Sequence, residues 1–416
     1  MRISLILTAL GAAIVQAAYP GDIVQYWVDQ SAILVNGSLI GGLQSPPSGW
    51  FEAIVQGAIY IAALDSRNEA LAFQQLAVSH AAHDSLVWIF HGTRLYATVD
   101  SKLKAILAPI GINQSSVDYQ RATNIGRKAA VNITRARSDD GINHFVDYVQ
   151  QPAIPGVYQQ TPDGSPIPDT PQARYLRLFG GLGDVTRFRA LPPPSINSSG
   201  YEDFLLYVKQ QGARNSTFRR SYDTETAYFW RESSPIVWNR IAHGVVGNSL
   251  ATDIVASAKF YAQLNYALAN AAIAGWDAKF FYNTWRPVTA IRRTDIWLPS
   301  GRNVSDPTWT PLLTPTPSHQ EYLSTHATFG GAAAAVIRSW NGGDAINVTQ
   351  SSNVTIDNIG VITRRITNLS EAAKENGDSR VFAGIHFQFA SDVGRQIGDS
   401  VARETLRLFD ENWAKF

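Results

Sequence analysis

Residues 276–287 read WDAKFFYNTWRP, and they close a helical pattern that runs over residues 250–279. Apolar side chains recur there at the spacing of an α-helix, so the pattern predicts a helix. Lys279 and Arg286 are seven residues apart, which on a helix places both cations on one face, two turns apart. Pro287 disfavours helical backbone at Arg286, so we expect the helix to end there. The stretch therefore predicts a helix end at which two cations face one anion.

A second segment, residues 321–335, reads EYLSTHATFGGAAAA. Ser324 stands directly before an alanine-rich run, and serine in this position is typical of the residue that caps a helix at its N-terminus. The backbone N–H groups of a helix start form an anion site, to which the Ser324 hydroxyl could add a donor. His326 in the first turn would then lie beside the bound anion.

The third segment, residues 379–386, reads SRVFAGIH. Asp378 or Ser379 can cap a helix that follows. A spacing of six puts Arg380 and His386 on different faces of an ideal helix, so they converge only if Arg380 lies in the first turn and reaches back. A single basic residue near a helix end is usually a solvated charge. The three segments therefore support an anion site only when they are taken together.

Together the three segments resemble the signature of the vanadium-dependent haloperoxidase and type 2 phosphatidic acid phosphatase superfamily. That signature is Lys, six residues, Arg-Pro; then Pro-Ser-Gly-His; then Ser-Arg, five residues, His. The first and third segments match it fully, and the resemblance extends over residues 223–398. In the second segment, Leu323 and Thr325 replace the proline and the glycine. Thr325 keeps the backbone N–H, but we expect its β-branched side chain to resist positive φ and to crowd the anion.

The resemblance implies a role for each of these residues. A vanadate, with phosphate as competitor or substrate group, would be held by charge-assisted hydrogen bonds. The implied cofactor-binding residues are Lys279, Arg286, Ser324, Thr325 and Arg380. His386 would bind vanadium through a neutral imidazole nitrogen. His326 would be the acid–base group for the protons of peroxide.

The implied reaction is the oxidation of a halide by hydrogen peroxide to a hypohalous equivalent, which then meets small organic acceptors. The same residues fit a secreted acid phosphatase, in which His386 attacks phosphorus and His326 protonates the leaving oxygen. A third hypothesis is a secreted oxyanion-binding glycoprotein in which Thr325 has ended catalysis. The peroxidase is favoured because the chain lacks the membrane helices of lipid phosphatases and resembles the soluble haloperoxidases more closely, for example at Trp276, three residues before Lys279.

The choice of halide depends on His319, which lies seven residues before His326. Bromide-oxidising members of the family tend to have histidine at this place, whereas the fungal chloride-oxidising type has phenylalanine. The resemblance therefore favours bromide, with His319 and Trp276 as the residues that tune halide use. The alternative is that His319 is only a loop residue after Pro317.

The N-terminus predicts export from the cell. Arg2, the apolar residues 3–15 and the small residues near 17–18 are typical of a signal peptide over residues 1–18, and the apolar run is short for a membrane anchor. Nine Asn-x-Ser/Thr sequons indicate a secreted, extracellular glycoprotein with no membrane span in its mature chain. The acceptors are Asn36, Asn113, Asn132, Asn197, Asn215, Asn303, Asn347, Asn353 and Asn368.

Composition excludes some partners and hints at the environment. The 416 residues carry a formal net charge of +1, so no strong field recruits nucleic acid or an anionic membrane, and anion binding must be local. The chain has no cysteine, and its one methionine, Met1, would leave with the signal. The mature chain then lacks easily oxidised sulfur, which fits either compositional drift or life beside a strong oxidant. A homo-oligomer is possible, although no sequence feature decides it.

Helical periodicity dominates, so the expected fold class is all-α, with helical bundles of the vanadium haloperoxidase type on either side of a proline-rich connecting segment. That connection covers residues 151–194. The expected organisation is a signal at 1–18, an N-terminal helical region with the proline-rich wrap at 19–200, and a C-terminal bundle with the oxyanion site at 201–416. Residues 341–358 are predicted to be a loop, and sheet is not expected. Helices are predicted at residues 22–34, 51–96 in two parts, 117–136, 223–231, 250–279, 327–340 and 380–409.

One further cluster lies outside these segments. His80, His83 and Asp84 fall on one predicted helix, and their spacing could suit a metal ion. The surrounding sequence is alanine-rich and amphipathic, and no distal ligand set is evident. The sequence therefore favours helix packing with a polar network over a metal site.

Overall fold

The computed structural model describes residues 18–38, 45–162, 164–295 and 298–416. The predicted signal peptide, except for its last residue, lies outside the described residues. Within the described ranges there are thirteen α-helices and one two-stranded antiparallel sheet. The helices are α1 Ile23–Gly37, α2 Ser45–Ser66, α3 Leu71–Ile89, α4 Tyr96–Ile110, α5 Val117–Ala136, α6 Ser199–Gln211, α7 Ser221–Phe229, α8 Ser234–Val246, α9 Ile254–Tyr282, α10 Pro287–Arg292, α11 Thr325–Asn341, α12 Leu369–Phe382 and α13 Gln388–Asn412. The strands are β1 Ala345–Val354 and β2 Gly360–Asn368.

Helix α9 lies at the centre of the molecule. Its side chains are buried along almost its whole length, because small alanines on all sides let neighbouring helices approach closely. It packs against α2 from the N-terminal half and against α11 and α13 from the C-terminal half. One hydrophobic cluster consequently joins both halves of the chain, and a second, smaller cluster surrounds Trp285, Tyr322 and Phe387. The all-α prediction is confirmed.

The proline-rich segment is an ordered wrap over α9, with three short 3-10 turns at Pro171–Tyr175, Phe179–Gly181 and Val185–Phe188. Its contacts with α9 are polar as well as apolar. The Asn270 side chain accepts from the Phe179 N–H at 2.7 Å and donates to the Phe179 carbonyl at 3.1 Å. Further along, Arg189 makes a bidentate pair with Asp277 of α9.

The predicted loop at residues 341–358 was wrong, because β1 and β2 form a hairpin there. Every few residues along the hairpin an apolar side chain such as Val348 or Ile362 is buried, while the residues between them face solvent. Val348 packs where Gly244 of α8 offers no side chain. This pairing depends on a tertiary contact that the polar local sequence does not reveal.

The predicted helix over residues 380–409 is two helices, because the chain turns between Phe382 and Gln388. Gly384 makes the turn with a φ of +77°. A Cβ at Gly384 would lie 2.4 Å from the Gly212 carbonyl oxygen, so no other residue fits there without a shift. The caps predicted at residues 378 and 379 were also wrong, since α12 already begins at Leu369.

Helix α9 ends at Tyr282, three residues beyond the predicted 250–279 pattern but before Arg286, where Pro287 was expected to end it. Asn283 follows Tyr282 in the left-handed conformation, with φ 47°, and such a residue commonly terminates a helix. Arg286 is extended, and Pro287 instead begins α10 as its first residue, where its missing N–H costs nothing. The prediction that Lys279 and Arg286 share one helix face was therefore wrong.

Candidate active site

A cavity of about 500 Å³ opens where five separate parts of the chain meet. These are the end of α1 at Asn36, the wrap, residues 231–233 just before α8, the loop over residues 313–319 together with the start of α11, and the end of α12 with the turn that follows. Of the residues implicated by sequence, five line this cavity: His319, Thr325, His326, Arg380 and His386. Lys279 and Arg286 lie behind its wall and reach it through their contacts.

Lys279 is fully buried at the end of α9 and holds one wall of the site. Its ammonium donates to the backbone carbonyls of Gln320, at 2.9 Å, of Glu321, at 3.1 Å, and of Leu323. All three protons are thus engaged with the segment that precedes α11. Burial, followed by the nearby Arg286 charge, holds the pKa of Lys279 well below its usual range.

Arg286 joins three parts of the site. Its Nη1 donates to His386 Nε2 at 3.0 Å and to the Ile385 carbonyl at 2.7 Å. Its Nε donates to the His319 carbonyl at 2.8 Å, and its Nη2 lies 3.0 Å from His319 Nδ1. Burial lowers the pKa of Arg286 to about 10, although the Glu321 carboxylate acts in the opposite direction.

His386 is fixed by a residue that the sequence did not single out. Glu321 Oε1 lies 2.9 Å from His386 Nδ1 and also accepts from the Phe387 N–H at 2.9 Å. The carboxylate requires a proton on Nδ1, so Nε2 carries the lone pair that Arg286 contacts. One sequence signal could have indicated Glu321: it is a charged side chain within the short motif between His319 and Ser324.

Burial and nearby charges shift the pKa values of both His386 and Glu321. Burial first, and the Arg286 charge second, hold the pKa of His386 well below its usual range, so the ring is neutral. Burial raises the pKa of Glu321 to about 7, against the lowering effect of the Phe387 N–H and of the Arg286 and Lys279 charges. A neutral imidazole with a defined lone pair is the form that binds metals.

The start of α11 has the predicted cap position but an unexpected detail. Ser324 is the N-cap residue, yet its hydroxyl has no hydrogen-bond partner in the described part of the chain, and neither does the Thr325 hydroxyl. Thr325 is the first helical residue, with no left-handed backbone, so a β-branched residue fits the conformation. The expected conflict with positive φ is therefore wrong, and the side chain instead presents a hydroxyl at the cavity.

His326 and Arg380 complete the cavity wall. His326 is half-buried, and its Nε2 lacks a partner among the described residues. Burial, followed by the charge of Arg380, holds the pKa of His326 well below its usual range, so the ring is neutral. Arg380 donates to Ser379 Oγ at 3.0 Å and to the Ala227 carbonyl at 2.9 Å, and burial lowers its pKa to about 9.

His319 and Trp276 lie side by side at the wall of the site. Their ring centroids are 4.8 Å apart, and the Trp276 indole N–H donates to the Asp169 carbonyl at 3.3 Å. Burial raises the pKa of the Asp169 carboxyl to about 6, while Arg286 acts to lower it. The wrap thus adds a carboxyl to the cavity that the sequence did not indicate.

The arrangement favours an anion. Lys279, Arg286 and Arg380 are three buried cations, and a buried charge is costly unless an opposite charge compensates it. Two carboxyls that act on Arg286, Glu321 and Asp169, both have raised pKa values and so compensate incompletely. A bound oxyanion would supply the missing negative charge and would accept hydrogen bonds from the free hydroxyls.

The chain is similar to known proteins both in sequence and in fold. Residues 259–415 match the family model described as the VCPO second helical-bundle domain. Over nearly the whole chain, the structure superimposes on a bacterial vanadium-dependent iodoperoxidase with a TM-score of 0.74 and 19% sequence identity, covering 94% of this chain and 98% of that one. The chain has the vanadium haloperoxidase fold. The predicted resemblance and the predicted fold class are both confirmed.

Two further proteins, both vanadium chloroperoxidases, are similar to the chain. A holo-type bacterial vanadium-dependent chloroperoxidase superimposes with a TM-score of 0.70 and 17% identity, covering 89% of this chain and 93% of that one. A vanadium chloroperoxidase from Curvularia inaequalis is 24% identical over 383 residues, which is 74% of this chain and 62% of the relative. The chain therefore spans less than two thirds of the length of that curated relative.

The structure also locates the predicted glycosylation sites. Eight of the nine acceptor asparagines are exposed, as carbohydrate attachment requires. Asn368 is the exception, because it is half-buried and its side chain caps α12 by accepting from the Glu371 N–H. No helix in the described ranges is long and apolar enough to cross a membrane.

Proposed function

We propose that the chain is a vanadium-dependent haloperoxidase that uses hydrogen peroxide to oxidise a halide. One observation carries the proposal: His386 Nε2, whose lone pair is set by Glu321, lies within a cluster of buried cations beside a cavity. A lone pair for a metal and a set of cations for its oxygens are together what vanadate requires. A site for an oxyanion alone needs only the cations.

The residues present fit vanadate. Buried hydroxyls on Ser324 and Thr325 and the Nε2 of His326 have no partners among the residues described, so a ligand can engage them without breaking existing bonds. Arg286 and Arg380 would hold the oxyanion's oxygens, and Lys279 would contribute its charge from behind the wall. Thr325, His326 and His386 line the cavity into which the ligand would fit.

The chain's own residues define what happens around the cofactor. When bound, vanadate supplies an electrophilic centre at which peroxide becomes an oxidant for halide. Arg286 must transfer its hydrogen bond from His386 Nε2 to an oxyanion oxygen before that nitrogen can act as a ligand. His326 Nε2, neutral and unengaged, can take a proton from peroxide and return it to the oxygen that leaves.

Bromide is the favoured halide, because His319 occupies the wall of the site beside Trp276. The family resemblance associates histidine at this place with bromide oxidation. The relatives described above are named for chloride and iodide, so this preference is carried by His319 alone. The signal at residues 1–18 and the exposed sequons support secretion as a glycoprotein, in which small organic acceptors meet the oxidised halide.

A secreted phosphatase is the second candidate, since the same cations and the same histidine pair suit phosphoryl transfer. The peroxidase is preferred because the chain contains no cysteine and no methionine after Met1, as suits a protein that generates an oxidant. The relatives named as vanadium peroxidases support the same choice. A non-catalytic oxyanion-binding glycoprotein is the third candidate.

The test is bromination of phenol red by the purified full chain, with peroxide and bromide, before and after addition of orthovanadate. We expect vanadate-dependent bromination that phosphate blocks, lost in His386→Ala and retained in the matched control His144→Ala, whose histidine is exposed. Hydrolysis of p-nitrophenyl phosphate without bromination would favour the phosphatase. Vanadate binding with neither activity would favour the binding glycoprotein.

A further inference from the structure

The cluster on α3 has the spacing of a metal site. His83 and Asp84 follow His80 by three and four residues, so the three side chains project from one face of the helix. One ring nitrogen from each histidine and one Asp84 oxygen lie within 4.8 Å of one another. The sequence had favoured helix packing because no distal ligand set was evident; the structure supplies a distal carboxylate partner for His83.

That partner is Asp100 on α4. Asp100 Oδ1 lies 2.8 Å from His83 Nε2, while Asp84 Oδ1 lies 2.7 Å from His83 Nδ1. A histidine that binds a metal through one nitrogen usually donates its other ring N–H to a carboxylate, which fixes the ring's orientation. His83 has this arrangement: Nε2 contacts Asp100, which leaves Nδ1, beside Asp84, as the nitrogen for an ion.

His80 provides the second independent observation. Its side chain is only 7% exposed, and within the described ranges its Nε2 has no hydrogen-bond partner. Helix α5 closes over it through Gly126, where a Cβ would come within 2.6 Å of the His80 Cβ. A buried polar atom without a partner is destabilising, and a ligand would remove that penalty.

We propose that His80, His83 and Asp84 bind one divalent transition-metal ion of the zinc type, with Asp100 as the carboxylate that orients His83. Two imidazole nitrogens and one carboxylate oxygen are a ligand set that zinc accepts, whereas calcium and magnesium prefer sets made of oxygens. Asp84 is partly exposed, so the fourth position is open to water. Zinc–ligand bonds are roughly 2.1 Å long. The helix already groups the three ligand atoms, so each needs to move by about an ångström or less to bind the ion.

One charge opposes the ion and provides a test. Arg127 Nε lies 3.9 Å from Asp84 Oδ2, and the arginine side chain is 65% exposed, so it can move aside at little cost. The positively charged Arg127 guanidinium competes with a metal cation for the Asp84 carboxylate. Removing Arg127 should therefore strengthen zinc binding. This substitution is on the surface of α5 and does not threaten folding.

The experiment is calorimetric titration of Zn²⁺ into the full-length protein, in buffer free of phosphate and vanadate. We expect one zinc ion per chain at this site, with affinity at least tenfold weaker in His80→Gln and about tenfold weaker in Asp100→Asn. Arg127→Gln should bind several-fold more tightly. The matched control His91→Gln, which changes an exposed histidine just after α3, should bind as the unmodified chain does.

A second comparison separates this site from the cavity. His386→Ala should retain the zinc affinity, because His386 belongs to the other cluster. If His80→Gln and the unmodified chain bind zinc equally, or if His386→Ala removes the binding, the proposal is wrong. Should His80→Gln fail to fold, unchanged affinity in both Asp100→Asn and Arg127→Gln would overturn it equally.

Discussion

Glu321 accepts two hydrogen bonds with a single carboxylate oxygen, from the His386 ring and from the Phe387 N–H. Both donors are buried, so neither can turn to water if this acceptor is lost. The contact decides which His386 nitrogen carries the lone pair and where it points. One side chain thereby sets the chemical state of the proposed vanadium ligand.

Replacing Glu321 by alanine should weaken orthovanadate binding by about 10- to 100-fold, because His386 loses the group that orients it. Glu321→Gln should retain most of the affinity, since its amide oxygen can accept the same two bonds. Its NH₂ would then take the place of Oε2, which has no partner in the described part of the chain. Dissociation constants from calorimetry check both variants, and an alanine variant that binds like the unmodified chain would refute the role.

At the scale of elements, the end of α5 is tied to α2 and to the wrap by a buried ion pair. The side chains of Arg137 and Asp140 are both fully buried, and the Arg137 guanidinium donates a hydrogen bond to the Asp140 carboxylate. Asp140 also accepts from the Trp50 indole at 2.7 Å and from the Arg177 N–H at 2.9 Å. The Arg137 guanidinium stacks 3.6 Å above the Phe179 ring. This cluster holds the wrap on which Asp169 reaches the cavity.

Asp140→Ala should lower the free energy of unfolding by about 3–5 kcal/mol, because it leaves the buried Arg137 charge without its partner. The matched control is Asp139→Ala, whose carboxylate is 79% exposed and pairs with Arg177 at the surface. That change should alter stability by about 0.5 kcal/mol or less. Urea unfolding compares the two, and equal losses in both variants would contradict the argument.

At the scale of the whole molecule, the cavity is assembled from residues that are far apart in the chain. Asp169 comes from the wrap, residues 231–233 precede α8, His326 lies in the first turn of α11, and His386 lies in the turn after α12. Because one hydrophobic cluster joins both halves, these parts are held by a continuous core. A ligand in the cavity therefore contacts a site that exists only when the whole fold is formed.

Orthovanadate or phosphate should accordingly raise the thermal midpoint of unfolding, because the ligand binds the native state alone. A free concentration 100 times the dissociation constant adds about 2.7 kcal/mol to the stability. The shift, measured by differential scanning calorimetry, should grow with ligand concentration. It should be small in Arg380→Gln, and it should persist in the exposed-site control His144→Ala. An Arg380→Gln variant that is stabilised as much as the unmodified chain would exclude binding in this cavity.

The sequence by itself determined the helical class and indicated the cations and histidines that the fold brings together, but it did not indicate the wrap that lines the same cavity. Helix α5 was predicted with its observed bounds, Val117–Ala136, since its amphipathic period is a local signal. The spacing of Lys279, Arg286 and His386 is likewise a property of the sequence, and it sufficed for the family resemblance. Local periodicity reports local hydrogen bonding and the face that a helix buries, and it reports little else.

Tertiary structure alone decided the partners of those residues. Glu321 meets His386 across 65 residues of sequence, and Asp100 meets His83 across a helix boundary, so neither pair appears in any local pattern. The turn at Gly384 exists because the Gly212 backbone lies against it, which only packing could reveal. Such contacts depend on which surfaces the folded chain brings together, and a linear pattern does not contain that information.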